Sequence, residues 1–193
     1  MYRRIALTAA AIAACLVALP ALAGQSQRFA LDGAQSAVSA RVAFFGLASK
    51  TAQFPEVSGG IELDPDQPGT IALNVTLNAR ALKAGDRDTL ARLRGPSFFD
   101  VERHPEVRFS GRAMRMTGQR TAEIDGELTA RGVTRREMLR VTFEREPGAV
   151  TRGEPITFSG TMTINRRNYG MTAYSLIVGN RVTIAIRARM VPV

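Results

Sequence analysis

Apolar and polar residues alternate with a period of two along most of this chain, and no other feature restricts its fold as strongly. Val38, Ala40, Val42 and Phe44 fall on one face, opposite Ser39 and Arg41. Ile71, Leu73, Val75 and Leu77 oppose Ala72, Asn74, Thr76 and Asn78. The same spacing returns in Val107 and Phe109, then in Ala122, Ile124, Gly126, Leu128 and Ala130, and again in Leu139, Val141 and Phe143. Ile156, Phe158, Gly160, Met162 and Ile164 oppose only serine and threonine, and Val182, Ile184, Ile186, Ala188 and Met190 complete the series. Successive side chains of a strand point to opposite faces. Each run is therefore a strand with one dry and one wet face, as in antiparallel sheet. Turn signals separate the runs at Asp32-Gly33, Gly59-Gly60, Asp64-Pro65 to Gly69, Thr117-Gly118, Pro147-Gly148 and Gly179-Asn180. Many short strands at this spacing make a barrel or a sandwich, here in one domain, because no repeat or linker divides the chain.

One segment leaves the period. Asp86 to Arg94 reads as a short helix, with Asp86 or Asp88 as cap and Leu90 and Leu93 on one face. Gly95-Pro96 stops it, and Phe98-Phe99 follow. A lone helix with paired phenylalanines in an all-β chain fits either a lid over one barrel end or an ordinary connection packed on the core.

The dry face mixes bulky residues with very small ones, among them Ala40, Gly111, Ala122, Gly126, Ala130, Gly160 and Ala188. A barrel of about eight strands is just filled by large side chains and holds one ligand when they are smaller. The glycines therefore either make room or mark bends and bulges.

The first residues read as an export signal. Tyr2-Arg3-Arg4 is a short positive region, and an apolar run from Ile5 to Leu19 follows, too short for a comfortable membrane span. Pro20 and the Ala21-Leu22-Ala23 motif predict cleavage before Gly24, leaving a domain over residues 24–193 in the periplasm. Ile12-Ala13-Ala14-Cys15 resembles a lipobox, so a lipoprotein anchored at Cys15 is the alternative. Cys15 is the only cysteine and departs with the leader, which excludes disulfides and thiolate chemistry from the mature domain.

The sequence offers no catalytic constellation, so the expectation is a binding protein and not an enzyme. His104, the only histidine, precedes a proline in a polar loop with no nucleophile placed beside it. One histidine without cysteine cannot build a typical zinc site, and no metal or cofactor is expected. Asp64-Pro65-Asp66 and Asp86-Arg87-Asp88 are explained by turn formation and capping, with weak calcium binding as the other reading. The formal net charge of +9 comes almost wholly from arginines spread along the chain. That is either a solvated surface or an attraction to anionic lipid head groups at a membrane surface. No basic stripe interleaved with aromatics points to nucleic acid.

Several motifs, in order, resemble the YceI-like family. Arg87-Asp88-Thr89-Leu90 through Arg92-Leu93-Arg94, Phe98-Phe99-Asp100-Val101 and His104-Pro105-Glu106-Val107-Arg108-Phe109 form the most specific stretch. Gly126-Glu127-Leu128-Thr129 with Arg131-Gly132-Val133-Thr134, then Ile164-Asn165-Arg166 with Asn168-Tyr169-Gly170-Met171, match two further segments. Asp32, Ser36 and Gly46 fit its opening, while Gln35 and Ala91 replace histidines that relatives often carry. The resemblance spans Phe29 to Pro192. It implies an extended, lipocalin-like antiparallel barrel with one short helix at one end. It also implies a periplasmic protein holding a long isoprenoid lipid, such as a quinone tail, for carriage, storage or scavenging. A membrane b561-type cytochrome as partner and a homodimer are compatible with that family. On the inward period, the expected tail site is Val42, Phe44, Leu73, Val75, Phe109, Leu128 and Phe158, with Gly126 and Gly160 beside them. Leu90, Leu93, Phe98 and Phe99 are expected to close one end. The alternative is a stress-induced structural or interaction protein with an incidental cavity.

Overall fold

The alternating runs become strands. A computed structural model describes residues 26–63, 69–151 and 153–193; the expected leader with Cys15, the expected new N-terminus at Gly24 and the Asp64–Asp66 turn lie outside the described residues. The elements are β1 Gln27–Leu31, β2 Ala37–Phe44, β3 Ala48–Phe54, β4 Val57–Leu63, β5 Thr70–Asn78, β6 Lys83–Ala84, α1 Arg87–Arg94, β7 Glu106–Met116, β8 Thr121–Ala130, β9 Val133–Phe143, β10 Ile156–Asn165 and β11 Val178–Pro192. All pairings are antiparallel. The order β1-β4-β5-β7-β8-β9-β10-β11 closes on itself through β1 and β11, giving an eight-stranded barrel.

Closure is uneven along the barrel axis. β11 pairs with β1 only through Met190 to Pro192, while its residues Val178 to Arg187 pair with β2. β1 and β2 thus act as one kinked strand along β11. The kink is a 3-10 turn at Gly33–Gln35 capped by Asp32. Asp32 Oδ2 accepts from Arg189 Nη1 at 2.9 Å, and Ser36 Oγ accepts from the Arg189 backbone N–H at 3.1 Å. Asp32 and Ser36 therefore pin this kink to β11. Gln35 bonds back to Asp32 at 3.1 Å and is exposed.

At the far end, β3 pairs with β6 instead of with β5. α1 follows directly on β6, and the loop from it to β7 packs back on β3 through Phe99 and Phe54. Asp86 is the cap: its carboxylate accepts from Thr89 N–H at 2.7 Å and from Thr89 Oγ1 at 2.9 Å. Gly95 N–H closes the helix onto Ala91 and Arg92 carbonyls. The core lies inside the barrel and continues under α1, where Phe98 and Val101 are buried and Phe99 meets Phe54 edge-on at 5.6 Å.

A candidate ligand site: a narrow lumen and an open mouth

Inside the barrel, the inward faces of nine strands meet around an apolar void. Leu73 and Val75 come from β5, Phe109 from β7, Leu128 from β8 and Phe158 from β10. Val38, Val57, Leu77, Val107, Leu139, Met162, Ile184 and Ile186 complete most of the wall. The cavity is about 80 Å³. One water needs roughly 10–15 Å³ on this measure, so the lumen is nearly filled by its own side chains.

The two glycines of the expected site do not line that void. At Gly126 a Cβ would stand 2.5 Å from the Ser110 carbonyl oxygen and 2.6 Å from Phe109 Cζ. The pairing of β7 with β8 also shifts register between Gly111 and Ala113, beside the Gly111–Gly126 pair. This glycine serves a close backbone approach at an irregularity. At Gly160 a Cβ would meet Leu139 Cδ1 at 3.1 Å, so a neighbouring leucine occupies the space.

A second, partly apolar pocket of about 410 Å³, here called the mouth, lies at the α1 end and shares no lining residue with the lumen. Val42 and Phe44 of β2 line it, with Leu93 and Phe98. Val42 lies four residues beyond the lumen residue Val38 on the same face of β2, roughly 13 Å along the strand. Leu90 and Phe99 are half-buried against the core and line neither space. The period therefore placed one group of expected residues in the lumen and another at the mouth.

The mouth also carries polar groups that periodicity had no means of finding, because most lie outside regular alternation. Tyr174 stacks on Phe98, with centroids 6.1 Å apart, and Arg92 lies over the Tyr174 ring at 5.2 Å while donating to its hydroxyl. Lys50 Nζ reaches Asp86 Oδ2 at 2.8 Å and sits 5.4 Å from the Phe44 ring centre. The Lys50 bond, then the Thr89 bonds, hold the Asp86 carboxyl down at about 2. The result is an apolar slot whose rim carries Lys50 and Arg92 as cations, Asp86 and Asp88 as carboxylates, and the Thr89 and Tyr174 hydroxyls.

Arg166 holds that rim from behind. It is buried, and its guanidinium donates to the carbonyls of Gly179 at 2.8 Å, Met171 at 2.6 Å, Ala173 at 2.8 Å and Val178 at 2.9 Å. Burial lowers its pKa, and no carboxylate accompanies it among the described residues. Its carbonyl partners bracket Tyr174, so Arg166 shapes the loop that walls the mouth. The buried Tyr169 hydroxyl donates to Glu137 at 2.8 Å, and burial followed by that bond raises its pKa strongly. His104 stands away from both spaces, with its ring against Gly132.

Residues 29–190, nearly the whole barrel, match the YceI-like domain. The chain belongs to the YceI-like family. A UPF0312 protein of Pseudomonas syringae pv. tomato is 27% identical over 140 residues, covering 72% of this chain and 73% of the relative. Among solved structures, Burkholderia cenocepacia BcnA superposes with a TM-score of 0.72 at 22% identity, covering 82% of this chain and 98% of that one. A polyisoprenoid binding domain from Saccharophagus degradans, implicated in plant cell wall breakdown, superposes at 0.67 with 11% identity, covering 86% and 98%. At these identities the likeness is one of fold. Gln35 and Ala91, which depart from the family pattern, are both exposed and line neither the lumen nor the mouth.

Proposed function

We propose that this YceI-like protein is a non-enzymatic lipid binder of the periplasm. The lumen takes a long apolar isoprenoid tail, and the mouth takes its head group. The observation that carries this reading is an interior lined almost wholly by aliphatic, aromatic and methionine side chains, with Ser36, Arg108 and Arg187 its only polar members, beside a polar-rimmed pocket at the α1 end. That arrangement matches the two ends of an amphiphile such as a quinone or an isoprenyl phosphate. The polyisoprenoid binding of the Saccharophagus relative supports the choice of tail.

The lumen of about 80 Å³ must widen to load such a tail. Phe109, Phe158 and Met162 reach into it, and turning them is the natural route. The same narrowness favours a second reading, an interaction protein whose cavity is incidental. Carriage to a membrane partner, such as a b561-type cytochrome, belongs to the first reading alone.

Organic extraction and mass spectrometry of freshly purified exported protein decide between the two. We expect an isoprenoid in every preparation. Its absence across several mild purifications would favour the interaction protein. N-terminal sequencing of the same sample should read from Gly24, and a lipid-modified Cys15 would replace the free periplasmic form by an anchored one.

A further inference from the structure

Two loop tips rise beside the mouth with large apolar side chains turned to solvent, Phe45 alone among them meeting a neighbouring ring, Phe44, edge-on at 4.6 Å. In the β2–β3 turn, Phe45 is 65% exposed and Leu47 fully so; in the turn before β11, Leu176 is fully exposed. The tips are tied together, since Phe45 N–H donates to the Ile177 carbonyl at 2.8 Å. Scattered surface leucines need no explanation. Three large apolar side chains on two adjoining turns, next to the polar-rimmed pocket at the α1 end, do.

Backbone geometry adds a second observation. Phe45 and Tyr174 adopt φ of 51° and 55°, the left-handed region that bulky residues avoid. Glycine or asparagine would make either turn without that strain. Here the strain holds one aromatic ring outward and the other over the mouth.

Cations outnumber carboxylates on the helix beside the tips. Arg92 lies over Tyr174, and Arg87 and Arg94 of the same helix are also exposed; none of the three pairs with a carboxylate among the described residues, Asp86 is matched by Lys50, and Asp88 is the one carboxylate within α1. In a two-fold self-association the same patch meets itself, which brings these arginines toward their own copies. An anionic bilayer presents the opposite charge and a fluid apolar layer into which separate tips can sink.

We propose that this rim docks on an anionic membrane surface, with Phe45, Leu47 and Leu176 entering the boundary between head groups and acyl chains. The proposal rests on the lipid-binding reading, because docking here sets the mouth against the bilayer and spares the cargo a passage through water. The test is co-sedimentation of the exported protein with vesicles of phosphatidylethanolamine and phosphatidylglycerol, and separately with phosphatidylcholine. The variant is Phe45→Ser with Leu47→Ser and Leu176→Ser, none of which lines the lumen or the mouth. We expect the wild type to prefer the anionic vesicles, to lose them as salt rises, and to bind them roughly tenfold more tightly than the variant. A variant that sediments like the wild type, or a wild type that ignores both vesicles, overturns the proposal. So does a wild type that ignores vesicles but dissociates on gel filtration when the tips are changed, since the patch is then an interface between copies. Extracted lipid is measured on the same samples. Docking without bound isoprenoid would sink the cargo reading and leave the membrane contact standing, whereas isoprenoid without docking would do the reverse.

Discussion

Arg166 is a charge taken out of water with four backbone carbonyls as its only compensation. Carbonyl dipoles can satisfy a guanidinium because its planar fork spreads five donors over a fixed angle. Removing it leaves four acceptors of the 171–179 segment without that donor. Arg166→Met should therefore destabilise the protein by about 3 kcal/mol in urea unfolding. A lysine offers three donors at one point, so Arg166→Lys should recover less than half of the loss. Equal stability of the methionine variant would mean that water replaces the guanidinium. The buried Tyr169 phenol beside Glu137 is held protonated in the same end of the fold, which makes both groups structural.

Among the elements, α1 is only lightly tied to the core: no residue of it is fully buried, and Asp86 anchors its first turn. Asp86 titrates at about 2, below its ordinary value of 3.8, through the Lys50 and Thr89 bonds. A carboxyl whose folded pKa is depressed contributes stability that is complete above its unfolded pKa and lost as pH falls through the folded one. The helix should thus loosen between about pH 4 and pH 2, read as rising hydrogen exchange of the Thr89 and Leu90 amides. Asp86→Asn should show faster exchange already at pH 7 and little further change on acidification; an unchanged pH profile would show that the Lys50 tether is dispensable. The two phenylalanines after α1 divide their work. Phe98 is the mouth wall against Tyr174, and Phe99 is a core contact against Phe54. The segment is therefore both a cover and a connection, which the sequence had left as alternatives.

For the whole molecule, the proposed cargo raises the question of how a barrel filled by its own side chains would take up a tail. Each buried methylene is worth about 0.8 kcal/mol, so twenty carbons bring nominally ~16 kcal/mol before ordering costs. Part of that must repack the lumen. A ligand that binds only the folded state raises its stability by mass action. Protein loaded with isoprenoid should consequently melt higher than the same protein after extraction. Phe158→Ala should weaken the extracted form by about 3 kcal/mol and the loaded form by less, because the tail fills the space the ring leaves. Equal melting of loaded and extracted wild type would place the lipid outside the lumen.

The strands, their inward residues and the capped helix were legible in the sequence, because alternation, capping and turn residues are local properties of the chain. Ile71 to Leu77 lies within β5, and Asp86 to Arg94 holds α1 with its cap. The motifs that resemble the family marked the same regions, including the Asp32–Ser36 kink, without saying what they do. Only closure of the barrel decided which inward residues share the void and which, like Val42 and Phe44, reach the mouth. It also decided that Phe109 and Leu139 take the room beside Gly126 and Gly160. Lys50, Arg92, Tyr174 and Arg166 come together from segments far apart in the chain, and three of them lie on a helix or in turns where no period of two runs. Alternation tells a side chain which face to take, whereas distance across a barrel depends on register and on where the sheet splays, and those are set by all the strands at once.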